Sequence, residues 1–155
     1  MPDENARMIS RTAAAERILA AKEAARLSFA SIAERIGRDP VWTTSALLGQ
    51  QRMDAAEADA VTELLGLDSE VSAALQRQPS KGSLEPTVPV DPLIYRFYEI
   101  VQVYGTTLKA LIEEEFGDGI MSAIDFEMHL ERKSDPKGDR VVVTMDGKFL
   151  PYRKW

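Results

Sequence analysis

Residues 91–122 read DPLIYRFYEIVQVYGTTLKALIEEEFGDGIMS, and the fold turns on this stretch. Asp91-Pro92 is a helix start: the Asp carboxylate accepts from the first unpaired N–H groups, and Pro occupies the position where its missing N–H costs nothing. Residues 93–104 contain neither Gly nor Pro, and Gly105 is the expected stop. A second, amphipathic helix is expected over 106–116, with Leu108, Leu111, Ile112 and Phe116 along one side. Gly117-Asp118-Gly119 breaks it. Arg96 and Glu99 are three residues apart and so share a face of the first helix. Tyr95, Phe97, Tyr98 and Tyr104 crowd the same segment. A guanidinium and a carboxylate among aromatics suggest a partly desolvated polar site, although an ordinary surface ion pair has the same spacing.

From Ile120 to Leu130 the apolar period changes to two. Ile120, Ser122, Ile124, Phe126, Met128 and Leu130 would share one face, with Ser122 its one polar member. A buried hydroxyl needs a partner. Either a site at the strand's start or a nearby backbone carbonyl in the core would serve. His129, the only His of the chain, falls on the opposite face and reads as a surface residue, since no Cys or second His accompanies it. Residues 134–139 are turn-rich, 140–145 are β-branched, and Asp146-Gly147 signals a tight hairpin to a return strand over 148–152. Three such strands are marginal alone, and an intertwined dimer through the sheet is the physical expectation.

Upstream, residues 1–11 read as a loose tail. Helices are expected over 12–26, 31–36, 41–48, 54–65 and 68–77, several ended by Gly. Five short helices with Gly-containing turns resemble a helix-turn-helix domain, with 41–48 as its recognition helix. Such a helix needs side chains that reach base edges and cations for the phosphates. Residues 40–49 hold no Lys, Arg or Asn, and residues 1–78 carry twelve acids against nine bases. A bundle used for packing fits better than a DNA reader. Residues 79–90, PSKGSLEPTVPV, have linker composition. They divide a helical N-terminal domain (1–80) from a C-terminal catalytic and dimerisation domain (81–155). The fold class is α+β.

With a net charge of −6, the chain is ill suited to nonspecific binding of nucleic acid or of an anionic membrane surface. No apolar run approaches the ~20 residues of a membrane span, and acids near residue 1 are not a secretory pattern. Without Cys there is no thiol nucleophile or thiolate metal site. The cytoplasm is the expected compartment. Glu113-Glu114-Glu115 point in three directions on a helix and read as a solvated face, not a metal cluster.

Residues 95–126, YRFYEIVQVYGTTLKALIEEEFGDGIMSAIDF, closely resemble the signature region of the cyanase family, also called cyanate hydratases or cyanate lyases. The resemblance continues through DGKFLPY at 146–152 and, more loosely, through the N-terminal helices. It implies a lyase that decomposes cyanate with bicarbonate to ammonia and carbon dioxide, through carbamate, with no cofactor or metal. It implies that Arg96, Glu99 and Ser122 are the catalytic set. It also implies a homodecamer, a ring of five dimers, with active sites shared between subunits and an N-terminal bundle kept as a relic.

Chemistry agrees with that set. Arg96 is the only basic residue between Lys81 and Lys109, and its planar fork suits small anions. The Ser122 hydroxyl and nearby N–H groups would bind developing negative charge. Glu99 either orients Arg96 or passes a proton, and spacing does not choose between these. Two other readings follow from the same residues: a helix-turn-helix regulator with a C-terminal oligomerisation domain, and an oligomeric scaffold whose Arg96–Glu99 pair is an interface salt bridge.

Overall fold

The computed structural model describes residues 8–82 and 88–155. Most of the tail expected over 1–11, and the centre of the expected linker, lie outside the described residues. Contacts divide the chain into two compact units: Met1–Gly82 with His129–Val142, and Ser83–Met128 with Val143–Trp155.

The first unit is built on five helices: α1 (Arg11–Ala24), α2 (Phe29–Ile36), α3 (Pro40–Leu47), α4 (Ala55–Leu65) and α5 (Ser69–Gln76). Each begins at a polar cap, Ser10, Ser28, Asp39, Asp54 and Asp68, whose side chain accepts an N–H from the opening turn. The caps of α2 and α4 are reciprocal, with Ser31 and Glu57 returning a bond to the cap's own N–H. Gly37 and Gly66 end the same two helices at φ 71° and 64°, a left-handed conformation that disfavours a Cβ. These are the helices expected from sequence, with ends that differ by one or two residues.

Ile18, Ile32, Leu47, Met53, Val61, Val71 and Leu75 are fully buried between these helices. Each such side chain contributes roughly 1.5–3 kcal/mol, so truncating Ile18 or Leu47 to Ala would cost about 2–5 kcal/mol. Arg11 fastens the bundle from inside. Its guanidinium donates to the carbonyls of Ala74 (2.8 Å), Gln51 (2.5 Å) and Ala46 (3.3 Å), gathering three chain segments onto one side chain.

The second unit carries α6 (Pro92–Phe116) and most of a two-stranded sheet, β1 (Gly119–Lys133) and β2 (Arg140–Pro151). The short connection over 134–139 makes the strands antiparallel. In it, Asp135 Oδ1 accepts from the Lys137 N–H at 2.8 Å and Gly138 adopts φ 125°.

Two expectations need correction. Gly105 does not stop a helix, because α6 runs without interruption for 25 residues. An interior Gly costs about 1 kcal/mol relative to Ala, too little to end a helix of good formers with no Pro behind it. Nor does Asp146-Gly147 make a turn; β2 passes straight through it, so the described residues hold two strands and not three. Gly147 answers a different demand, since its bare face admits the backbone of β1.

The strict alternation expected along β1 also fails locally. Ser122 is 4% exposed while Ile124, assigned to the same face, is 97% exposed. Ser122 Oγ accepts from the N–H groups of Ile124 (3.0 Å) and Asp125 (2.9 Å), two local side-chain bonds made within the strand.

Candidate active site

Asp91 sets the start of α6, its Oδ1 accepting from the Leu93 and Ile94 N–H groups, both at 2.9 Å. One turn later come Arg96 and Glu99. Arg96 Nη1 donates to Glu99 Oε2 at 2.7 Å. The guanidinium also lies 5.8 Å from the Tyr95 ring centroid, close enough for cation–π attraction, and Tyr95 and Tyr98 are in ring contact at 6.2 Å. In the single chain the two charged side chains are 63% and 46% exposed. The expected desolvation is therefore absent from one chain alone. The reason is plain: α6 has no buried residue anywhere along its length.

Ser122 lies on β1 and is buried. Among the described hydrogen bonds its hydroxyl donates to no core carbonyl, and its oxygen accepts two backbone N–H groups. With both acceptor positions occupied, the hydroxyl hydrogen is left to donate. The structure thus joins Arg96 to Glu99 directly. Among the described hydrogen bonds it does not join Ser122 to either.

His129, expected at the surface, keeps 42% of its side chain exposed and also has a partner. Its Nδ1 stands 2.8 Å from Asp39 Oδ2, within the first unit. Asp39 Oδ1 meanwhile accepts from the Val41 N–H at 2.7 Å as the cap of α3. Burial alone would push the Asp39 carboxyl up. The His129 bond, the Val41 and Trp42 N–H groups and the His129 charge outweigh it and hold the carboxyl below its ordinary value. Ninety positions separate the partners, so no local pattern could have announced the pair.

Glu113 pairs with Lys109 four residues earlier, while Glu114 and Glu115 are exposed, as a solvated face requires. Among the described residues no group of three or more His, Asp or Glu could hold a metal ion. No helix among them is long and apolar enough to cross a membrane.

A cleft of about 640 Å³ in the first unit is lined by Phe29, Val41, Leu48 and Leu130 with Asp39, His129 and Glu131. It contains none of Arg96, Glu99 and Ser122. Two carboxylates on its wall make it a poor receptor for a small anion.

Comparison with known proteins bears on both halves of the chain. Residues 11–79 match the family described as cyanate hydratase, N-terminal, and residues 86–154 the one described as cyanate lyase C-terminal domain. The cyanate hydratase of Ralstonia pickettii (strain 12J) is 59% identical over 140 residues, covering 90% of this chain and 95% of the relative. That of Synechococcus sp. (strain CC9311) is 58% identical over 138 residues, covering 89% and 92%. A crystal structure of cyanase from T. urticae superposes with a TM-score of 0.78 at 40% identity, covering 89% of this chain and 96% of that one.

Proposed function

The chain belongs to the cyanate hydratase family, and from that membership we propose that it catalyses the bicarbonate-dependent decomposition of cyanate. The reading is carried by one observation: both halves of the chain match the two domains of a single enzyme family. The catalytic and dimerisation functions are assigned to residues 81–155, and residues 1–80 to a packing bundle.

The chemical problem is to bring two anions together. Proximity and preorganised donors answer it. Arg96 holds cyanate and bicarbonate through its fork of N–H groups. A bicarbonate oxygen attacks the cyanate carbon, forming a C–O bond as negative charge moves to nitrogen and oxygen. The bicarbonate's own proton and a first proton from solvent reach that nitrogen, the bond between the bridging oxygen and the bicarbonate carbon breaks to release carbon dioxide, and carbamate remains. Carbamate takes a second proton and decomposes to ammonia and another carbon dioxide. Ser122, its lone pairs already engaged, directs its hydrogen at the developing charge. Glu99 keeps the guanidinium oriented through the 2.7 Å contact. No electron leaves or enters in this sequence, so it calls for no redox cofactor.

The working form is a homo-oligomer, a decamer of five dimers, in the cytoplasm. Exposed apolar side chains support the assembly: Leu93, Ile100, Val101, Val103 and Leu111 on α6, and Ile124 on β1. A soluble monomer rarely leaves so many large apolar side chains in water. Cover supplied by other subunits would give Arg96 and Glu99 the desolvation that one chain lacks.

Ammonia release from cyanate, measured with bicarbonate present and then rigorously removed, tests the reaction. Release that depends on bicarbonate is expected. Release without it would replace this mechanism with simple hydrolysis, and no release from a folded assembly would return the scaffold reading.

A further inference from the structure

Gly147 sits inside β2, where glycine weakens a strand unless another backbone comes close. It is not one of the described glycines with positive φ, so Ala could adopt its backbone. The obstacle is space. A Cβ at this position would lie 2.5 Å from the Ser122 carbonyl oxygen and 2.5 Å from Met121 Cγ, with Met121 Sδ at 3.2 Å. The Met121 side chain has rotamers to yield with. The Ser122 carbonyl is main chain and yields only if residue 122 itself moves.

Ser122 is therefore held from two directions. Its hydroxyl is fixed by the N–H groups of Ile124 and Asp125, and its carbonyl rests against the bare face of Gly147. We propose that Gly147 is a positioning residue for Ser122, its missing side chain setting where the hydroxyl stands in the cyanate site. The proposal rests on the assignment of Ser122 to that site.

Gly119 offers a matched comparison in the same hairpin. A Cβ there would meet the Leu150 carbonyl oxygen at 2.4 Å and the Phe149 ring at 2.5 Å, a clash of the same kind against different residues.

The experiment compares Gly147→Ala, Gly119→Ala, Met121→Ala/Gly147→Ala and Ser122→Ala in the full-length assembled protein, with sedimentation velocity and steady-state kinetics. In Gly147→Ala we expect kcat to fall about a hundredfold, the scale of misplacing a reacting group by about 1 Å. The KM for cyanate should stay within about threefold and the assembly should be unchanged. Gly119→Ala should keep kcat within about threefold of wild type. Removing the Met121 side chain should not rescue Gly147→Ala, because the Ser122 carbonyl remains in the way. Rescue by Met121→Ala, equal losses in the two glycine variants, or loss of the assembly in Gly147→Ala would each overturn the proposal. Wild-type kcat in Gly147→Ala beside an inactive Ser122→Ala would overturn it alone. Full turnover in Ser122→Ala would instead remove the assignment on which it rests.

Discussion

Arg96 reaches Glu99 with one nitrogen, at 2.7 Å, across a single turn of α6. The contact engages one edge of a planar group that has five N–H donors, and the rest of the fork is what an anion would use. An ammonium at this position keeps the charge but loses the fixed geometry. Arg96→Lys should therefore lower kcat/KM by about a hundredfold or more, as removal of an oriented charge-stabilising donor does elsewhere. The assembly should sediment as wild type. Near-normal kcat/KM in Arg96→Lys would mean that only the charge matters.

Glu99 should act through Arg96. Glu99→Gln keeps an oxygen acceptor for the 2.7 Å contact but cannot carry a proton. If Glu99 orients the guanidinium, Glu99→Gln should retain activity within about tenfold while Glu99→Ala loses much more. Equal, severe losses in both variants would favour proton transfer, which a pH–rate profile would then show as a missing limb.

Ile124 tests the assembly. It is 97% exposed in the single chain, and a charge there costs nothing unless another subunit covers it. Ile124→Asp is expected to shift the sedimentation profile to smaller species and to remove activity with it. An unchanged assembly would leave this face in solvent.

Asp39 does two jobs with its two oxygens, capping α3 and meeting His129. Asp39→Ala should cost about 0.5–2 kcal/mol in a thermal or denaturant melt, the usual range for a lost cap. Asp39→Asn keeps the cap and should cost less. The carboxyl is held below its ordinary value of 3.8 in the folded chain. Its contribution is therefore complete above that value and is lost as pH falls through the depressed folded-state value. The stability gap between wild type and Asp39→Asn should close in acid. A gap independent of pH would show that the charge on Asp39 contributes nothing.

Sequence alone determined the five helices of the first unit and the start of α6, because their signals are local. Asp39-Pro40 and Asp91-Pro92 open helices, Gly37 and Gly66 close them, and an apolar period of 3.6 marks what lies between. It also put Arg96 and Glu99 on one face, since three residues along a helix always bring side chains together. The resemblance across 95–126 points to the family from the residues alone.

Tertiary structure alone decided what depends on a distant partner. Gly147 carries the local signature of a break, yet it lies inside β2. Packing against Ser122 and Met121 settled Gly147's use. The hydroxyl of Ser122 took the N–H groups of Ile124 and Asp125, and Asp39 found His129 across ninety positions. Each of these is a through-space choice, and periodicity describes only neighbours along the chain.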